Sequence, residues 1–221
     1  VFDFGPWRFI QYANQNFTAA YFDYNGRYSF GRQPEAALWA LTQLGKSFNK
    51  LINEKRIIEI LNEFSTTFHL SLKRHFCWRI GIQDIDAKSL SEIMNVLLNE
   101  SEKHKIEFAS FFYDFFGGKE AVIDCLKTNY GNKYKVEGFL KITDILKDSQ
   151  SSKGALEKRK LINKNRENML IDEVEQIWEE INKNDNWKLL EKKISKVRKL
   201  GKLLADSYKH LRDHETDNKN V

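Results

Sequence analysis

Proline is nearly absent from this sequence. Its 221 residues include only Pro6 and Pro34, and none follows Pro34. So long a stretch without proline, rich in Leu, Ile, Lys and Glu, predicts a mostly α chain. Cysteine is equally scarce. Cys77 and Cys125 form no CxxC pair, which excludes a disulfide framework and a zinc-finger spacing. Both are expected as small buried hydrophobes in a reducing, cytoplasmic setting. No apolar run reaches the roughly 18 residues that would span a membrane. The N-terminus lacks a basic stretch followed by an apolar one, so no signal peptide is expected. Also missing are a glycine-rich phosphate loop and a Ser/His/Asp set. The first residue is Val rather than Met, which fits a fragment, an engineered start or an unusual start codon.

What is present is charge and apolar bulk. Hydrophobic residues make up 41% and charged residues 30% of the chain, with a net charge of +5. The excess sits mainly after residue 150, where basic and acidic groups interleave. Such a region attracts acidic partners or nucleic acid, or simply forms solvated helix faces.

Residues 1–33 hold glycines, asparagines and aromatics without a helical period, and read as ordered loop with short extended pieces. Pro34 suits the first turn of a helix. Helices are then expected over 54–64, 66–79 with Gly81 as stop, 88–102, 105–116 and 119–129. Residues 148–166 read as linker or loop. Residues 167–212 read as a helical hairpin, with a frayed tail over 213–221. In that hairpin Leu170, Val174, Ile177, Trp178 and Ile181 form one stripe. Leu190, Ile194, Val197, Gly201, Leu204 and Tyr208 form the other. An acidic first helix and a basic second helix should pack antiparallel, with Asp185 or Asn186 as the N-cap of the second.

The sharpest short motif is Asp3-Phe4-Gly5, after Val1-Phe2 and before Pro6. In kinase-like sites an Asp at the end of a short strand binds the metal that bridges ATP phosphates, and the next aromatic packs beneath. A hard cation wants carboxylate oxygen, and Gly lets the backbone turn away. The run continues through Trp7-Arg8-Phe9, Phe17-Thr18-Ala19-Ala20-Tyr21-Phe22-Asp23 and Asn25-Gly26-Arg27-Tyr28. Gln33-Pro34 then leads into a helix carrying Trp39. Together these residues closely resemble the SelO (selenoprotein O) family, kinase-like protein adenylyltransferases. Asn168-Met169-Leu170-Ile171-Asp172-Glu173-Val174-Glu175, with Ile177-Trp178, resembles the C-terminal helix of a bacterial branch. The resemblance is dense over 1–45 and again over 167–201.

The resemblance implies the C-terminal helical part of a protein-kinase-like fold, with the N-terminal lobe absent. Residues 1–147 would belong to the C-lobe, starting at the elbow. It implies transfer of AMP from ATP to Ser, Thr or Tyr hydroxyls of a protein substrate, with Mg²⁺ or Mn²⁺. Asp3 matches the family's metal and ATP ligand. The general base, the metal-binding Asn and the ATP-binding lysine would lie upstream of this chain. The chain alone would then be inactive and would need that upstream segment as partner. The tail, Asp213 to Val221, has no Cys matching the redox residue of some members. An inactive helical binding module derived from the family stays open as the alternative.

Other residues admit two readings. Arg8, Arg27 and Arg32 could meet phosphate or a protein substrate, or could pin the loop through carbonyls and Asp23. Phe108, Phe111, Phe112, Phe115 and Phe116 are expected as core rather than as a docking surface. His210 and His214 share a helix face but lack a third metal ligand. His75 and Cys77, two apart, fall on different faces. The lysines of 188–202 fit a solvated face better than a nucleic-acid interface.

Overall fold

A computed structural model describes residues 8–19 and 22–217, with side chains as far as residue 205. Among them every regular element is helical, and the only extended pairings are two isolated bridges. The expectation of a mostly α chain holds. No helix among the described residues is long and apolar enough to cross a membrane. The chain divides into two compact units: residues 14–73 form one, and residues 8–13 with 74–217 form the other.

The first unit begins with a loop that leads through a short 3-10 turn into α1 (Gln33–Ser47). Pro34 occupies the first turn, as expected, where its missing N–H costs nothing. Asn53 caps α2 (Glu54–Asn62), its side chain accepting from the Lys55 N–H at 2.8 Å. The two helices meet at Gly45, where an added Cβ would lie 2.7 Å from Cγ2 of Ile57. Only a residue without a side chain permits that approach. The third helix, α3 (Phe64–Ile80), contributes to this unit as far as residue 73.

From residue 74 the chain builds the second unit. The end of α3 carries Phe76, Cys77 and Ile80 into its core, and Gly81, at φ +72°, stops the helix. Then come α4 (Ala87–Glu100), capped by Asp86, α5 (Phe108–Asp114) and α6 (Lys119–Leu126). A 3-10 turn over Tyr130–Tyr134 leads to α7 (Glu137–Lys147), which packs on α4 and α6. Phe111, Phe115, Phe116, Tyr134 and Phe139 are fully enclosed. The Phe111 and Phe115 rings meet edge to face at 5.3 Å, a preferred aromatic geometry. The phenylalanine run is core, as its density suggested. Both cysteines are buried, and neither is in a disulfide.

Four details of the C-terminal part differ from expectation. The stretch 148–166 is not all linker, for α8 (Ala155–Lys164) runs through it and buries Ala155 and Ile162. Of the two candidate caps of the second helix of the hairpin, Asn186 accepts from the Lys188 N–H at 3.3 Å, and Asp185 does not cap it. Asp185 closes α9 (Ile171–Asn184) in the left-handed region at φ 47°. Next, α10 (Lys188–Asp217) continues past residue 212, where fraying was expected; residues 218–221 lie outside the described residues. Finally, α10 buries Lys193, Leu200 and Leu204, whereas Ile194 and Val197 of the expected stripe stay exposed. Leu200 and Leu204 pack with Tyr113, Phe116, Ala155 and Ile162. The main apolar partners of α10 are therefore α8 and α5. The acidic helix α9 meets it through charge: the Lys193 ammonium lies 2.6 Å from Glu173.

Candidate functional site

Asp3, the expected metal ligand, lies outside the described residues, with the rest of the elbow. The chain that follows is held at two places, one in each unit. In the second unit, Gln11 accepts from the Phe108 N–H at 2.8 Å, and Tyr12 bridges to Glu107. The Gln11 side-chain amide donates to Glu107 at 3.2 Å, and Ala13 is buried. These bonds seat residues 11–13 on the start of α5.

In the first unit the loop is organised by Asp23. Its carboxylate accepts from the backbone N–H groups of Arg27 and Tyr28, each at 2.8 Å, and from the Thr18 hydroxyl at 3.4 Å. The Asp23 carbonyl accepts from Gly26 N–H at 3.1 Å. A carboxylate so bonded favours its charged form. The Tyr28 N–H chiefly holds the Asp23 carboxyl below its ordinary range; desolvation opposes it, and the Arg27 N–H and Thr18 hydroxyl add to the lowering. A second pair of backbone bonds, Phe30 N–H to the Phe17 carbonyl and Gly31 N–H to the Gln15 carbonyl, both 2.8 Å, closes the base of the loop. Tyr24 stands 92% exposed at its tip.

The three loop arginines do different things. Arg32 forms two hydrogen bonds to Glu35, at 3.0 and 3.1 Å. Arg27 binds Asp23 through its main chain, and its side chain is exposed. Arg8 is exposed. The expected pinning of Asp23 is thus done by backbone N–H groups of residues 27 and 28. Trp39 sits on α1, 59% exposed. Cys77 is buried and His75 is exposed, so they do face differently. His210 and His214 fall on α10, but their side chains lie outside the described residues. No group of three His, Cys, Asp or Glu able to hold a metal ion occurs among the described residues.

Away from this loop, the second unit encloses a charged cluster that the sequence reading missed. Asp114 is buried and accepts from Tyr134 at 2.5 Å and Arg166 at 2.6 Å, with Lys133 at 3.1 Å. Burial, reinforced by the adjacent Asp114 charge, pushes the Tyr134 phenol far up. One residue along from Arg166, Glu167 accepts from Lys193 at 2.7 Å and pairs with Lys196 at 3.1 Å. Its main-chain carbonyl accepts from the Tyr113 hydroxyl at 2.7 Å. A signal for Asp114 was available. A carboxylate inside Phe111-Phe112-Tyr113-Asp114-Phe115-Phe116 goes into the core with its neighbours, so it needs cations. Lys193 carried no comparable signal.

Comparison with known proteins gives these observations a family. The family model described as protein adenylyltransferase SelO matches residues 1–198. Among curated relatives, the protein nucleotidyltransferase YdiU of Trichormus variabilis is 29% identical over 113 residues, covering 51% of this chain and 23% of the relative. YdiU of Synechocystis sp. is 42% identical over 67 residues, covering 30% and 14%. That of Vibrio cholerae is 28% identical over 131 residues, covering 56% and 26%. The chain thus spans about a quarter or less of the length of these relatives. With nine-tenths of its residues inside the family model, the chain belongs to the SelO family.

Proposed function

We propose that this chain is the C-terminal helical part of a kinase-like protein adenylyltransferase. It would serve the transfer of AMP from ATP to Ser, Thr or Tyr hydroxyls of a protein substrate. The observation that carries the reading is the family match, which starts at residue 1 and so includes Asp3-Phe4-Gly5-Pro6.

In this reaction the substrate hydroxyl oxygen bonds to the α-phosphorus and the bond to the β-phosphate oxygen breaks. Pyrophosphate leaves, and the hydroxyl proton passes to a base. Bound Mg²⁺ or Mn²⁺ would neutralise the phosphate charge. Asp3 offers the hard carboxylate oxygen such a cation prefers. Its other ligands, the base and the ATP-binding lysine would come from polypeptide outside this chain. That polypeptide would include the N-terminal lobe of the kinase-like fold. The exposed guanidinium of Arg27, on a loop fixed by Asp23, makes no carboxylate hydrogen bond among the described residues and fits a contact with phosphate or with a protein substrate. A protein fits better than nucleic acid, since Lys193 and Lys196 of α10 are already paired with acids. Two buried thiols outside any disulfide fit a cytoplasmic setting.

The test is ATP binding with Mg²⁺ or Mn²⁺, followed by AMP transfer. The chain alone is expected to show neither, and the chain joined to its upstream polypeptide both. Joined protein that binds no ATP would leave the inactive binding module as the reading.

A further inference from the structure

The first unit has helices but almost no core. Of its described side chains only Ser29 and Ile57 are buried. Trp39, Leu44, Phe48, Leu51, Ile58 and Ile60 are all exposed, Leu51 by 81%. Single exposed apolar side chains are ordinary, but a continuous set marks a surface that something covers. A unit of this size needs to bury about 60% of its unfolded surface to be stable, and most of its described helical side chains are exposed or only half-buried.

The placement of these residues says what covers them. The contact line between α1 and α2 runs through Gly45 and Ile57. At about 3.6 residues per turn, Trp39 lies about 120° to one side of Gly45, and Leu44 and Phe48 about 60–100° to the other. Likewise Ile58 lies about 100° to one side of Ile57 and Ile60 about 60° to the other. Both flanks of the two-helix layer are therefore apolar. A symmetric dimer covers one patch with its own copy and leaves the opposite flank wet. A layer apolar on both flanks belongs inside a larger fold. The family relatives supply the material, since this chain matches about a quarter or less of their length.

We propose that α1 and α2 form an internal layer whose two flanks are covered by the portion of the SelO-family polypeptide upstream of this chain. This rests on reading the chain as part of a longer SelO-family protein, and it assigns the interface that joins the parts.

Amide hydrogen exchange tests it, on the 221-residue chain alone and joined to the polypeptide encoded immediately upstream. In the chain alone, amides of residues 33–62 are expected to exchange on the order of 100-fold faster than those of 108–146. In the joined protein residues 33–62 should slow on the order of 100-fold. Trp39→Asp and Leu44→Asp, on opposite flanks, should each reverse that gain. Slow exchange of 108–146 in the same samples shows that the second unit has folded. Protection of 33–62 in the chain alone overturns the proposal, including protection that rises with its concentration and marks a second copy. So do an unchanged rate in the joined protein and the absence of an upstream reading frame. Protection without AMP transfer would keep the interface and reject the activity; AMP transfer without protection would do the reverse.

Discussion

Asp114 and Arg166 stand 2.6 Å apart across 52 residues of chain, and the carboxylate side is almost wholly enclosed. The pair ties the segment between α8 and α9 to the end of α5. Tyr134 and Lys133 complete the ring around the carboxylate. Asp114→Ala would remove the one acceptor that a phenol, a guanidinium and an ammonium share. Removing one member of a buried pair costs about 3–5 kcal/mol. Urea unfolding of the 221-residue chain, followed by circular dichroism, should show a loss of that order. A loss under about 1 kcal/mol would place the carboxylate in water, as for a surface pair.

Lys193 offers a second, pH-dependent case. Burial alone would lower its pKa, but hydrogen bonds to Glu167 and Glu173 outweigh this and raise it. Burial would likewise raise Glu167, yet the bonds from Lys193 and Lys196 bring it below its ordinary range. The depressed carboxyl stabilises the fold above the ordinary value of 4.5 and loses that effect as pH falls through its lower folded value. The raised ammonium stabilises the fold below 10.5 and loses that effect as pH rises through its higher folded value. Lys193→Met should therefore destabilise most between these limits and weaken the acid-side dependence below pH 4.5. Parallel profiles for the two proteins would contradict the pairing.

Cys125 should behave as an inert thiol. Burial, with the Asp114 charge adding to it, pushes the thiol up to about 11 from 9.0. A raised acid keeps the folded state favoured below its unfolded pKa and loses that advantage as pH climbs to the folded value. Stability should fall between pH 9.0 and about 11, and Cys125→Ala should fall less. At neutral pH a thiol reagent should label neither cysteine in the native chain and both in urea, since both are buried. Labelling of Cys125 in the native chain at the unfolded rate would contradict this.

Asp23→Ala tests the loop of the candidate site. It removes the acceptor for two backbone N–H groups and so loosens an exposed loop without touching the second unit. Cleavage at Arg27 by trypsin should rise by about tenfold while thermal unfolding of the second unit stays in place. Equal cleavage rates would mean that the loop is held by other contacts.

Much of the helical order was legible from local signals. Pro34 marked the start of α1 and Gly81 the end of α3, because backbone freedom is a property of the residue itself. The dense aromatics of α5 announced the core for a similar reason. What escaped depends on partners distant in sequence. Ala155–Lys164 is crowded with charge, and its few apolar residues gain meaning only from Leu200 and Leu204. Lys193 looks like its neighbouring lysines, and Glu167, 26 residues earlier, is what draws it inward. At the candidate site the Asp3-Phe4-Gly5 motif could be read, but it lies outside the described residues, and the base and ATP-binding lysine are proposed to come from polypeptide outside this chain.

The central claim, that Asp3 holds the metal of an adenylyl-transfer site, is tested most directly by AMP transfer to protein from ATP labelled in the α-phosphate. The measurement uses this chain joined to its upstream polypeptide, with Mg²⁺ or Mn²⁺, as wild type and as Asp3→Ala. The expected result is labelled protein from the wild type and a loss of at least about 100-fold in the variant, comparable to removing a main electrostatic contributor. Full labelling by Asp3→Ala would contradict the assignment.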